Sequence, residues 1–287
     1  MRVYEGVLLG AIAGDIIGSV YEFNNIKSTD FVLFKSDCFF TDDSVLTIAI
    51  ADAILNNLDF VHTVHKYGNK YEGRGYGSSF MRWLLSENPK PYNSYGNGSA
   101  MRVSPVGLVC EDVYSTMELA KKTAEITHNH PEGVKGAQAV ASAVYLASNN
   151  ITKQAIKDFI EKEFSYDLSF SLDQIRDSYT FNETCQGTVP YAIVAFLESN
   201  NFEDAVRLAI SIGGDSDTLA CITGSIAGAF YNEIPREIAF YVYNLIPEEF
   251  KEIIKKFDNY CYELHNQDKD LTISELKSII KQEKELF

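Results

Sequence analysis

The sequence predicts an all-α fold, organised as a single compact multi-helix domain over residues 1–287. Apolar residues recur at helical spacing along most of the chain, and the strict alternation typical of half-buried strands is almost absent. The 287 residues are 46% hydrophobic, which is enough to bury one large core. No internal repeat or linker divides the chain.

Twelve helices are predicted from the apolar periodicity, with bounds at about 4–18, 43–57, 61–71, 76–86, 115–128, 134–148, 152–164, 188–199, 202–212, 216–231, 235–245 and 247–265. The best candidate for a strand, Asp30 to Phe34, is short and is also explained as a simple connector. Residues 267–287 are polar with leucine and isoleucine at helical spacing, so we expect a C-terminal helix that is docked or partly frayed.

Glycines recur at helical spacing in the first and the tenth predicted helices. They are Gly10, Gly14, Gly18, Gly224 and Gly228. A missing side chain lets two helices approach closely, so we interpret these positions as packing sites.

The charge of the chain limits its partners. The formal net charge is −15, and the Lys and Arg residues are few and scattered. No basic stripe is present that could neutralise a phosphate backbone at many points, so duplex nucleic acid is not an expected partner. A single phosphorylated small molecule is compatible with this charge, because a bound cation reverses the local field.

The cysteines and the N-terminus indicate a cytoplasmic protein. The five cysteines are odd in number, far apart and mostly set among apolar neighbours, which is typical of reduced packing residues. Val7 to Ala13 is a short apolar run that imitates the end of a signal peptide, but Glu5 lies where such a peptide carries positive charge. No stretch reaches the roughly 18 to 20 apolar residues of a membrane span, so no membrane partner is expected.

Two acids precede an apolar helix in the segment Phe40-Thr41-Asp42-Asp43-Ser44. The simplest explanation is capping, in which Thr41 or Asp42 accepts a hydrogen bond from the first turn and the acids lie at the positive end of the helix dipole. Taken alone, this segment favours capping over a metal site.

A second segment, Ser211 to Thr218, also carries two acids directly before an apolar helix. Capping requires only one of Asp215 and Asp217. An EF-hand loop starting at Asp215 is excluded, because Ala220 occupies the position of its glycine and Ile226 that of its glutamate. If this segment binds a cation, further ligands must come from elsewhere in the chain.

The two segments together indicate a metal site. Each supplies two aspartates and one threonine at the start of a buried helix, and Glu22 adds a fifth carboxylate after the first helix. Oxygen ligands favour Mg²⁺ or Mn²⁺ over Zn²⁺, and no cysteine or histidine cluster offers a softer alternative. Five converging carboxylates are too costly to bury without positive charge, whereas two divalent cations about 4 Å apart would nearly cancel their charge.

Six short stretches form an ordered set along about residues 6–231. They are Gly14-Asp15 through Glu22, Phe40 to Asp43, Arg74 to Gly77, Ser94 to Arg102, Thr127-His128 and Gly213 to Thr218. This set resembles the ADP-ribosylglycohydrolase family, whose members include the glycohydrolase that reactivates dinitrogenase reductase. The resemblance implies an all-α fold with a pair of divalent cations at the bottom of a cleft.

The resemblance also implies roles for individual residues. The metal-ligand positions are Thr41, Asp42, Asp43, Asp215, Asp217 and Thr218, and Glu22 falls on an acid that contacts metal and acts in catalysis. The positions that bind ADP-ribose are Gly77, Ser94, Tyr95, Gly96, Asn97, Gly98, Ser99 and His128. Asp15 has the position of an acid behind the metal ligands.

The chemistry of these residue types agrees with the implied roles. A glycine-rich loop followed by a helix start at Ser99 can direct backbone N–H groups at a pyrophosphate. Tyr95 can stack on adenine, although an aromatic residue in such a loop is packing at least as often. For His128 alone, a satisfied half-buried histidine is the simpler interpretation, and His130 has no assigned role.

The predicted function is therefore the metal-dependent hydrolysis of the glycosidic bond between ADP-ribose and a modified acceptor, with Glu22 as the general base for water. Two alternatives are a two-metal phosphohydrolase of a nucleotide-like substrate and a catalytically silent ADP-ribose-binding protein. The complete ligand set argues against the silent protein. The loops around the cleft differ from those of the best-known family members, so the resemblance specifies the chemistry rather than the acceptor.

Overall fold

The computed structural model describes residues 6–265, which form helices joined by loops. In chain order the helices are α1 (Val7–Gly18), α2 (Asp42–Leu55), α3 (Phe60–Lys70), α4 (Ser78–Leu84), α5 (Gly98–Met101), α6 (Val113–Glu125), α7 (Pro131–Ser148), α8 (Lys153–Phe164), α9 (Leu172–Ile175), α10 (Cys185–Glu198), α11 (Phe202–Ser211), α12 (Ser216–Tyr231), α13 (Arg236–Leu245) and α14 (248–265). A short 3-10 helix, Ser104–Leu108, follows α5. Within these residues the β-type pairing is limited to an isolated bridge between Gly96 and Thr184.

The all-α prediction is confirmed, and each of the twelve predicted helices is present with small shifts at its ends. Helix α5 was anticipated only as a helix start at Ser99. Helix α9 and the 3-10 helix were not predicted, because segments of four or five residues are too short to show a period of 3.6. The segment 30–34 is a loop and forms no strand. The expected helix at 267–287 lies outside the described residues.

Helices α1 and α12 form the centre of the core. Every residue of α1 except Leu9 is buried, and α12 is buried from Ser216 to Ala229. A helix that is apolar on all sides requires neighbours on all sides. Helices α2, α7, α10 and α11 supply them around this pair.

The glycines of α1 and α12 face one another, as expected. A Cβ atom added to Gly14 would lie 1.9 Å from the Ala220 carbonyl oxygen, and one added to Gly10 would lie 2.4 Å from that of Gly224. Both distances are far below any real contact of a Cβ atom. The two backbones are therefore in direct contact along the length of the pair, and Asp15 on α1 is brought beside the start of α12.

All five cysteines are buried in the interior of the fold. No helix within residues 6–265 combines the length and the apolar character needed to cross a membrane.

Candidate active site

One cleft collects most of the residues singled out by the sequence. It encloses a cavity of about 270 Å³ between the starts of α2 and α12 and the loop before α5. The predicted site residues that line it are Glu22, Asp42, Asp43, Gly77, Ser94, Gly96, Asn97, Gly98, His128, Asp215, Asp217 and Thr218. Residues separated by some 170 positions in the chain thus share one surface.

The floor of the cleft is an acidic cluster made of two overlapping groups. Asp15, Asp43 and Asp217 each place a carboxylate oxygen within 4.8 Å of the others. Glu22 and Asp215 form the second group, again with Asp217 and within the same limit. Because Asp217 belongs to both groups, its carboxylate lies between two arrangements that can each hold a cation.

Capping explains only part of this arrangement. Thr41 is the N-cap of α2 and its side chain accepts a hydrogen bond from the Asp43 N–H, as the capping interpretation predicts. Asp215 has the N-cap position of α12, but its side chain forms no capping hydrogen bond. The acids are therefore directed to the cleft, where the positive ends of two helix dipoles partly offset their charge.

Asp15 fixes the start of α2 against α1. Its carboxylate accepts hydrogen bonds from the Thr41 N–H (3.0 Å) and the Ser44 N–H (3.1 Å). It also accepts from the Thr41 hydroxyl (2.6 Å) and the Ser44 hydroxyl. Asp15 therefore acts as the anchor of the helix that carries Asp42 and Asp43.

Burial raises the pKa values of these acids. The pKa of Asp15 rises from 3.8 to about 6 because of burial, against the hydrogen bonds from Ser44 and Thr41. Burial and then the Asp215 charge raise the pKa of Glu22 from 4.5 to about 7. The pKa values of Asp42, Asp43 and Asp217 also rise well above normal, first through burial and then through neighbouring carboxylates. Ionisation of all of these acids together is therefore unfavourable.

The donor set of the cluster fits a hard divalent cation. Within residues 6–265, no Lys, Arg or His forms an ion pair with any of these carboxylates. The Asp43 Oδ1 atom is buried without a hydrogen-bond partner. The Thr218 hydroxyl donates to Asp43 Oδ2 (3.2 Å), which places a neutral oxygen beside the acids. Buried carboxylates without a cationic partner are costly, so oxygen ligands of this kind are suited to a bound metal ion.

The wall of the cleft is the loop Ser94 to Gly98, held against the start of α10. The Asn97 N–H donates to the Glu183 carbonyl (2.7 Å), and the Cys185 N–H donates to the Tyr95 carbonyl (2.9 Å). The Asn97 side chain donates to Asp215 Oδ2 (2.6 Å). Asn97 therefore links the loop to the acidic floor.

Three predicted site residues do not line the cavity. Thr41 lies behind Asp43 and donates to Asp15. The Ser99 hydroxyl is buried and donates to the Gly133 carbonyl (2.7 Å). Tyr95 belongs to the loop but its side chain is 48% exposed, with its ring centroid 5.2 Å from that of His130.

Several lining residues were not given a role from the sequence. They include Leu46, Gly75, Phe80, Tyr92, Met101, Arg102, Phe181 and Glu183. Phe181 and Glu183 belong to an irregular segment before α10, where no periodicity signals a function. Arg102 and Gly75 were within stretches that resemble the family, and that position was their only sequence signal.

The comparisons with known proteins return members of one family. The profile of the ADP-ribosylglycohydrolase family matches residues 2–268. ADP-ribosylhydrolase ARH3 from Homo sapiens is 28% identical over 79% of this chain and 85% of its own length. ADP-ribosylarginine hydrolase Tri1 from Pseudomonas putida is 25% identical over 79% of this chain and 70% of its own length.

The fold is also found among solved structures. The chain of an ADP-ribosylglycohydrolase-related protein complex superposes with a TM-score of 0.63 at 21% identity, covering 92% of this chain and 98% of that one. The family profile extends over the whole described region and includes every residue of the cleft. The chain therefore belongs to the ADP-ribosylglycohydrolase family.

Proposed function

We propose that this protein is a divalent-cation-dependent hydrolase that cleaves the glycosidic bond between ADP-ribose and a modified acceptor, and so reverses ADP-ribosylation. The main support is the convergence of six acids, four of them buried, on one cleft where no cationic side chain of the described region pairs with them. The names of the relatives, which include hydrolases of ADP-ribosyl groups, support the reaction class.

Two cations, Mg²⁺ or Mn²⁺, are the proposed cofactors. The side chains that would hold them are Glu22, Thr41, Asp42, Asp43, Asp215, Asp217 and Thr218. When bound, such cations act as Lewis acids and orient substrate oxygens. The hydrogen bonds from Asn97 to Asp215 and from Thr218 to Asp43 keep the ligand atoms in place.

Glu22 is the proposed catalytic residue. It lines the cleft and is only partly buried, unlike Asp43, Asp215 and Asp217. It follows the C-terminal end of α1 and shares a group with Asp215 and Asp217. A carboxylate in this position can accept a proton from water that attacks the anomeric carbon of the ribose.

The wall of the cleft is the proposed ADP-ribose site. Gly77, Ser94, Gly96, Asn97, Gly98 and His128 line it, and Tyr95 flanks it with an exposed ring that is suited to stack on adenine. Ser99 supports this wall from behind through its bond to Gly133. We expect the protein to act in the cytoplasm, because an odd number of buried cysteines that lie far apart in the sequence is typical of a reducing compartment.

The proposal is tested with a panel of defined ADP-ribosyl conjugates, linked through arginine, serine, another side chain, a base or a small molecule. Each is incubated with Mg²⁺, Mn²⁺ or chelator. Release of intact ADP-ribose that requires a cation supports the proposal. AMP or phosphate as the product would instead identify a phosphohydrolase, and the absence of turnover on every linkage would identify a binding protein. Glu118→Gln, on the exposed face of α6, should leave turnover unchanged. It is the matched control for variants that remove one negative charge from the cleft.

A further inference from the structure

A fully buried arginine lies in the wall of the cleft. Arg102 has no exposed surface and lines the cavity. Its Nη2 donates to the Thr123 carbonyl (3.0 Å) and to the Thr127 hydroxyl (2.8 Å). Burial lowers the pKa of Arg102 to about 10, so the guanidinium stays charged at neutral pH. Within residues 6–265 it forms no ion pair, and its Nε and Nη1 atoms are buried without a hydrogen-bond partner.

Thr127 connects this arginine to His128. Thr127 is fully buried, and its hydroxyl oxygen lies 2.7 Å from His128 Nδ1. A hydroxyl has one hydrogen and two lone pairs, while a guanidinium only donates. Arg102 therefore occupies a lone pair of Thr127. If Nδ1 also donated, the Thr127 hydrogen would have no acceptor among the described residues, which is costly for a buried group.

The hydrogen of Thr127 is thus directed to Nδ1, and the ring hydrogen of His128 belongs on Nε2. The opposite edge of the ring faces the glycine loop, because a Cβ atom on Gly98 would lie 3.2 Å from Nε2. No hydrogen bond joins Nε2 to any residue between 6 and 265. Burial and then the charge of Arg102 lower the pKa of His128 well below its usual range, which keeps the ring neutral.

We infer that Arg102 and Thr127 are positioning residues that hold His128 as its Nε2–H tautomer, so that His128 offers a hydrogen-bond donor to an oxygen atom of the ligand in the cleft. A hydroxyl, ether or phosphate oxygen can accept this bond. The tautomer follows from the protein alone, and only the use of ADP-ribose as the probe ligand rests on the proposed function.

The tautomer is tested by nitrogen NMR of the ring in the full chain, labelled at histidine and free of ligand. The His128 signal is the one that disappears in His128→Gln. We expect the shift of an unprotonated nitrogen at Nδ1 and of a protonated one at Nε2. Thr127→Val keeps the size of the side chain but removes the hydroxyl, so a mixture of tautomers is expected. Thr127→Ser keeps the hydroxyl and the wild-type pattern.

A protonated Nδ1 in the wild type, or an unchanged pattern in Thr127→Val, would overturn the inference. The wild-type spectrum alone is decisive if a variant fails to fold. Arg102→Met removes the donor to Thr127 and is expected to disturb the pattern in the same direction as Thr127→Val.

Calorimetry with ADP-ribose tests the donor. Losing one oriented hydrogen bond in Thr127→Val is expected to weaken binding about 3- to 10-fold, with Thr127→Ser close to the wild type. An altered tautomer with unchanged affinity would overturn the role of His128 as a donor. The expected tautomer in a protein that does not bind ADP-ribose at all would instead overturn the proposed function and leave the tautomer assignment standing.

Discussion

The floor and the wall of the cleft bury polar groups in opposite ways. On the floor, Asp43 and Asp217 lie among other carboxylates, and Asp43 Oδ1 has no hydrogen-bond partner. On the wall, Asn97 bonds to Asp215 and Thr188, and His128 Nδ1 bonds to Thr127. These bonds of the wall form without a ligand, whereas the acids of the floor have no cationic side chain of the described region as a partner. The floor should therefore respond strongly to cations and the wall should not.

The largest effect is expected on the floor, in Asp217→Ala. This change removes the acid that belongs to both ligand groups, so activity and the response to added cation should fall to background. The helical fold should remain, and the unfolding temperature without cation should rise, because one buried negative charge is removed. Turnover assays, cation titration by calorimetry and thermal unfolding measure these effects. Turnover at the level of Glu118→Gln would contradict the assignment.

The second prediction separates binding from chemistry at the edge of the floor. Glu22→Gln keeps nearly the same shape and one coordinating oxygen, but the amide cannot accept a proton. The rate of a single turnover should therefore fall by roughly 10²- to 10⁴-fold, with a much smaller change in ADP-ribose affinity. If affinity is lost as severely as turnover, Glu22 is chiefly a metal ligand.

The third prediction concerns pH and metal removal. The pKa of Asp15 is 3.8 when unperturbed and about 6 in the folded protein, and that of Glu22 changes from 4.5 to about 7. The folded state thus binds these protons more tightly than the unfolded state. Without cation, the stability present below about pH 4 should be lost as the pH rises to about 7, by about 3 kcal/mol for the fully buried Asp15 alone.

Denaturant unfolding in chelator at several pH values measures this loss, and saturating Mg²⁺ provides the comparison. The added cation should remove most of the pH dependence, since it neutralises the same carboxylates. Equal slopes with and without cation would show that the cation binds elsewhere.

The smallest effect is expected at the wall. Tyr95→Ala should weaken ADP-ribose binding by about 1–3 kcal/mol if the ring stacks on adenine, by analogy with stacking of bases on aromatic side chains. Cation affinity should not change, because Tyr95 lies outside the acidic cluster. Calorimetry with each ligand tests both statements. Tyr114→Ala, which removes another exposed tyrosine on α6, serves as the control and should bind as the wild type does.

The same comparison explains what the sequence could predict. Four acids of the floor are visible in the sequence because they lie at the starts of apolar helices, where capping accounts for Thr41 but not for Asp217. The glycines of α1 and α12 are visible in the sequence for a different reason, because their spacing is that of one face of a helix.

The wall was harder to predict, because its members come from loops without periodicity. Glu183 reaches the cleft only through the pairing of its segment with Asn97. The orientation of Ser99 towards Gly133, away from the cavity, is also a property of the tertiary fold. A single sequence therefore indicates which residues carry the chemistry better than it indicates how the loops around them are arranged.

The contact between α1 and α12 also has a consequence for synthesis of the protein on the ribosome. α1 is made before α12, and its backbone packs against residues 216–231, some 200 positions later. Until α12 emerges, α1 has no partner for the face that carries Gly10 and Gly14. Pairing over so long a stretch of chain is slow, and the waiting apolar helix is exposed to aggregation. Because Gly18 lies against Asp217, the acidic floor also takes shape only at this late step. If the floor binds a cation as proposed, cation binding during translation would therefore report the completion of the core.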